Sequence, residues 1–131
     1  METAAICNKR GFTLVEFLVA IVILMVGLLG LLQTVNYAIV HNMTNQLRQS
    51  AILVADERMQ TEMAKEFGNI PIGSANETVQ RVVNGAQYSY TVVVTNTQPT
   101  TQTINIDIRV GWNYKGQAYQ HAVASLISQY Q

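Results

Sequence analysis

Residues 9–32 read KRGFTLVEFLVAIVILMVGLLGLL, and this stretch decides the architecture. A basic pair, Lys9 and Arg10, precedes a Gly11–Phe12 junction, and Glu16 is the one charge between Phe12 and Leu32. From Phe12 to Leu32 the chain would make roughly 31 Å of helix at 1.5 Å per residue. That matches a hydrocarbon core of roughly 30 Å, so the segment predicts one membrane-spanning helix. The apolar run follows the junction, and beyond Leu32 the chain continues Gln33-Thr34-Val35-Asn36 without a small-residue cleavage site. A secretory signal has the opposite order. A charge near a bilayer centre costs about 2.5–3.5 kcal/mol, less toward the interface, which makes Glu16 a candidate functional residue. The plainer alternative is an ordinary signal anchor whose Glu16 snorkels toward the interface.

Charge sets the orientation and narrows the function classes. Basic residues flanking the amino end keep that end cytoplasmic, and the next one along the chain is Arg48. The body is then expected outside the inner membrane. Eight basic and eight acidic side chains balance, which argues against an electrostatic nucleic-acid surface. After Glu66 only Glu77 and Asp107 are acidic, too few for a calcium cage. The single cysteine, Cys7, precedes the apolar run, where a lipidated cysteine would follow one. No cysteine is left downstream for a disulfide or a thiolate nucleophile. His41 and His121 stand far apart in sequence, and there is no Gly-rich phosphate loop and no metal-ligand spacing. The sequence reads as a non-enzyme without cofactor or metal.

Helical periodicity continues past the span. Ile39, Met43, Leu47, Ala51, Ala55, Met59, Met63 and Phe67 recur every four residues, one of the ridges by which helices pack. Four residues overshoot a turn, so the row winds around the helix. Its upper part is expected to meet neighbours and its lower part the chain's own sheet. No proline interrupts 12–67, so one helix is expected over that range, softened at Gly27 and Gly30. Asp56, Glu57, Arg58, Glu62, Lys65 and Glu66 read as a solvated face.

The remainder switches to strand periodicity. Residues 68–74 read as a loop, 77–83 as a strand, and Asn84-Gly85 as a type I′ hairpin turn. A strand over 87–95 places Tyr88, Tyr90, Val92 and Val94 on one face, and a loop containing Pro99 is expected over 96–101. Ile104, Ile106, Ile108, Val110 and Trp112 then alternate with polar residues, the mark of a half-buried strand. A turn at Tyr114-Lys115-Gly116 leads into a last strand, 117–128. A sheet with one apolar face needs a cover, and the lower half of the helix is the obvious one. The expected class is α+β: one long amino-terminal helix on a small antiparallel sheet of about four strands. The pattern leaves open whether those strands form one sheet. The body aromatics read as core and strand formers, with a binding patch as the alternative.

Residues 11–16, GFTLVE, with a basic pair before them and an apolar helix after, resemble the class III signal of type IV pilins and pseudopilins. The resemblance implies cleavage between Gly11 and Phe12 by a membrane-embedded prepilin peptidase, then N-methylation of Phe12. It also implies that Glu16 interacts with the new amino terminus, commonly that of a neighbouring subunit. On this reading 1–11 is the leader, 12–32 the transmembrane and filament-core segment, 33–67 its amphipathic continuation, and 68–131 the β body, in a pilin fold. The implied partners are the peptidase, other pilin or pseudopilin subunits, an inner-membrane assembly platform and membrane lipid. The implied location is the bacterial inner membrane, then a pilus or pseudopilus. The amino-terminal run, the segment 51–59 and the ending IRVGWNYKGQ are similar to PilV-type minor pilins and to the I-type minor pseudopilin of type II secretion. The absence of a downstream cysteine departs from many major pilins. A minor pilin that primes or caps assembly is the preferred reading, with a minor pseudopilin and an adhesive or DNA-binding tip module as alternatives.

Overall fold

The computed structural model describes residues 11–129. Lys9, Arg10 and Cys7, with the rest of the leader before Gly11, lie outside the described residues, as do the last two residues of the body. The element order is α1 (Leu14–Met63), a 3-10 turn (Phe67–Asn69), β1 (Gly73–Val83), β2 (Ala86–Thr100), β3 (Thr103–Tyr114) and β4 (Gln117–Ser128). This is a pilin-like α+β fold. The chain divides into two compact units, Met1–Val40 and His41–Gln131.

In the first unit the helix passes through Gly27 and Gly30 without interruption. Thr34 donates its hydroxyl to the Gly30 carbonyl at 3.0 Å. From Leu14 to Ile39 every side chain is exposed except half-buried Ile21. The segment has a mean hydropathy of 2.8 over its most apolar window and is long and apolar enough to cross a membrane.

In the second unit the four strands form one antiparallel sheet in the order β1-β2-β3-β4. Both two-residue turns have positive φ at both centres: Asn84 at 50° with Gly85 at 78°, and Lys115 at 49° with Gly116 at 77°. That geometry matches the right-handed strand twist and selects tight hairpins. The core takes Leu47, Ala51, Val54, Ala55 and Met59 from α1, alternate residues of β2 from Tyr90 to Val94, and alternate residues of β3 from Ile104 to Trp112. Tyr90, fully buried, donates its hydroxyl to the Leu47 carbonyl at 3.2 Å and ties helix to sheet. Burial pushes its phenol pKa above the ordinary value of 10.0, against the lowering effect of a hydrogen bond with Ser50.

The structure differs from the sequence reading at four places. α1 ends at Met63 rather than at Phe67, where the Lys65 amide turns to the Glu62 carbonyl at 3.2 Å. Such a three-residue bond tightens the last turn, and Gly68, Asn69 and Pro71 follow closely. β1 starts at Gly73, within the expected loop, because Gly73 to Asn76 pair with Asn96 to Val93. β2 runs on through the expected loop to Thr100, and only Thr101 and Gln102 turn. Pro99 is accommodated because the β2–β3 register shifts between Thr97 and Thr100, where no ladder donor is required of it.

The fourth difference is the charged face, which is not simply solvated. Glu62 is 1% exposed. Lys65 donates to both of its carboxylate oxygens at 2.7 Å, and Arg58 lies 3.4 Å away. Arg58 also reaches Glu77 of β1 at 3.2 Å, and Arg81 of β1 pairs with Glu57. The drift of the four-residue row explains the placement. After Met59 the buried stripe steps three residues to Glu62, leaving Met63 exposed. A carboxylate on that stripe needs cations to offset its desolvation.

Candidate functional site

The residues singled out by the motif gather at the start of α1. Thr13 stands just before the first helical residue, and its hydroxyl accepts a hydrogen bond from the Glu16 amide at 3.3 Å. Its carbonyl accepts from the Phe17 amide at 3.2 Å, opening the helical ladder. Thr13 is thus the N-cap and Glu16 the third helical residue, the Thr-x-x-Glu spacing of a capping box. Glu16 is also the acidic residue of the first turn, where the helix dipole favours a carboxylate.

Phe12 and Phe17 flank this cap on either side and line one shallow, apolar depression with Glu16, Val19, Ala20 and Ile23. Phe12 is 87% exposed. Among the described residues the Glu16 carboxylate has no ion-pair partner and no hydrogen-bond donor. The sequence signal therefore becomes a specific surface: a capped helix start, a free carboxylate on its first turn, and an aromatic ring beside it. The Thr-x-x-Glu spacing is the sequence signal for Thr13 as the cap, and it lies directly against the apolar run.

The body gathers no comparable chemistry. His41 contacts Asn45 on α1 at 3.3 Å, whereas His121 is half-buried on β4 opposite Val110. Among the described residues no three His, Cys, Asp or Glu side chains cluster to hold a metal ion. The aromatic residues pack together: Tyr90 against Trp112 at 6.0 Å, Trp112 stacked on Tyr119 at 5.7 Å, and Tyr88 edge-on to Tyr114 at 6.4 Å. Tyr90 and Trp112 are core, and Tyr88, Tyr114 and Tyr119 pack against that core.

Residues 6–32 match the family described as the prokaryotic N-terminal methylation motif. The chain carries the class III signal typical of type IV pilins and pseudopilins. With the pilin-like fold behind it, the motif implies processing by prepilin peptidase and assembly with pilin subunits. Pilin-like chains are structural subunits and not enzymes. No curated protein and no solved structure matches the chain.

Proposed function

We propose that this pilin-like chain is a minor pilin of a type IV pilus, processed between Gly11 and Phe12, methylated at Phe12, and assembled through its amino-terminal helix. The observation that carries the reading is the capped start of α1. Cleavage after Gly11 would leave Phe12 as the new amino terminus directly before the Thr13 cap. The cationic amine of one subunit would then offer Glu16 of the next an opposite charge. Pairing inside an apolar medium offsets much of the cost of burying both, and a missing partner leaves one charge uncompensated. Register would follow, with Phe12 of one helix beside Glu16 of its neighbour.

The body would lie on the periplasmic side, with the basic pair Lys9 and Arg10 holding the amino end in the cytoplasm. The assembly platform and membrane lipid are its other expected partners. Minor-pilin status, priming or capping rests on resemblance. The same resemblance leaves the minor pseudopilin of a type II secretion system as the second reading. An adhesive or DNA-binding tip module is the further alternative, and Tyr88, Tyr114 and Tyr119, which it would use, are half-buried against the core.

The deciding experiment is the intact mass and amino-terminal sequence of the protein from its native membrane, with and without the prepilin peptidase. A chain beginning at N-methylated Phe12 only when the peptidase is present is the expected result. A chain still carrying its leader in both strains would overturn the proposal.

A further inference from the structure

The two edges of the sheet differ in a way that makes them complementary. Among the described residues no strand pairs with the outer edge of β4. Residues 117–128 contain no Asp, Glu, Lys, Arg or Pro. The β3–β4 register runs from Thr103↔Ser128 to Tyr114↔Gln117 without a shift. Charges, prolines and bulges are the usual devices that keep an edge from pairing, and β4 has none of them. Its inner row is also short of cover. Tyr119, Val123 and Ile127 are half-buried, whereas their β3 partners Trp112, Ile108 and Ile104 are buried.

The opposite edge carries Glu77 and Arg81, but both charges are engaged by α1. The ion pairs of α1 with the sheet run to β1, through Arg58–Glu77 and Glu57–Arg81. Beside that edge the helix displays Leu53 at 68% exposure and β1 displays Val82 at 72%. Both line one surface depression with Ser50, Asp56, Glu57, Gln60 and Arg81. The inner row of β4, in which His121 and Ser125 alternate with Tyr119, Val123 and Ile127, would meet Leu53 when seated on this edge.

Strand direction says how the edges would meet. Along β1 and its turn, Asn84 contacts Met43, Arg81 contacts Glu57 and Glu77 contacts Arg58. β1 therefore runs against α1, and the alternation of a four-stranded meander makes β4 run with it. In two copies whose helices point the same way, β4 of one and β1 of the other are antiparallel. They also match in length, with 12 and 11 residues. Joining like edges under the same constraint gives parallel pairs, whose hydrogen bonds are slanted and slightly weaker.

We propose that the β4 edge of this chain docks on the β1 edge of a second copy, continuing one antiparallel sheet across the two bodies with Leu53 of the second copy under the inner row of β4. The contact is head-to-tail, so it leaves a free edge at each end and can repeat. The common helix direction rests on the membrane-anchored reading above.

The test is disulfide trapping of the full chain in its native membrane, in a Cys7→Ser background. One tagged copy carries Thr78→Cys, Gln80→Cys or Val82→Cys, and a differently tagged copy carries Gln120→Cys, Ala122→Cys or Ala124→Cys. Antiparallel strand pairing predicts that the mixed dimers are enriched several-fold over same-site dimers. The reactive pairs should share a single sum of residue numbers. Leu53→Lys in the β1 copy should lower trapping several-fold. Uniform yields across all pairs, dominance of dimers through β4 alone, or trapping of β4 only to a different protein would each overturn the proposal. The amino terminus of the same samples is read in parallel. Methylated Phe12 without strand-specific trapping rejects this interface alone, and trapping with an intact leader rejects the filament reading alone.

Discussion

The two halves of α1 belong to one unbroken helix and solve opposite problems. From Leu14 to Leu32 the side chains are apolar apart from Glu16 and, Ile21 aside, exposed. From Leu47 to Glu62 a winding stripe is buried on the chain's own sheet. The second half has its cover in the same polypeptide. The first half presents apolar surface with no cover among the described residues, and a helix of that kind belongs in lipid or among other helices. A single secondary-structure element can thus carry a finished interface and an unfinished one, and hydrophobicity alone does not tell them apart. Periodicity does: the finished half is striped and the unfinished half is uniform.

Substitutions in the two halves should separate cleanly. The largest effect is expected from Glu16→Ala. If Glu16 receives a neighbour's amine, its removal leaves a buried charge unpaired, a cost of about 3–5 kcal/mol. Incorporation into filaments, measured by immunoblot of sheared fractions, should fall on the order of a hundredfold or more, while cleavage and methylation persist. Unchanged incorporation would refute the pairing. Next comes Leu47→Ala, which should destabilise the body by about 2–5 kcal/mol in thermal unfolding followed by near-ultraviolet circular dichroism. Leu24→Ala, in the uncovered half, should leave that transition in place.

Smaller effects sharpen the comparison at single hydrogen bonds. Thr13→Ala removes the cap and should cost about 1 kcal/mol of helix stability at that end. Amide exchange at Val15 and Glu16 should accelerate, and Thr13→Ser should restore protection. Tyr90→Phe removes the bond to the Leu47 carbonyl, at a net cost of about 0.5–1.5 kcal/mol near neutral pH. Its pH signature has a definite sign. The folded phenol pKa lies above the unfolded value of 10.0, so the neutral form is favoured on folding. Its stability contribution is complete below pH 10.0 and declines as pH rises toward the folded pKa. The wild-type melting temperature should fall there more steeply than that of Tyr90→Phe.

Much of this architecture was legible because its signals are local. Period two in 104–112 located β3, and Asn84-Gly85 located the first hairpin, since few dipeptides tolerate positive φ at both positions. The motif residues Gly11, Phe12 and Glu16 were likewise readable as a group. The misreadings arose where tertiary context outweighs local composition. Residues 96–100 look like a loop from Asn96 and Pro99, yet Asn96 pairs with both β1 and β3, and Thr97 and Thr100 pair with β3 around a register shift. Glu62 looks solvated among other charges, yet the drift of the buried stripe carries it inside, where Lys65 and Arg58 meet it. The complementary edges were invisible in sequence, because strand order and direction relative to α1 emerge only when hairpins and helix are placed together.

The strand order has a kinetic consequence. Each strand pairs with its immediate predecessor in the chain, so no strand must wait for a distant later one. Ladders of this kind close through short loops and carry little of the entropic delay that slows non-local sheets. Under the proposed topology, a body emerging across a membrane amino end first, with α1 already held, would add one hairpin at a time onto a surface that is present from the start. On that order β4 would be the last strand added, and one of the two open edges would be the one made last.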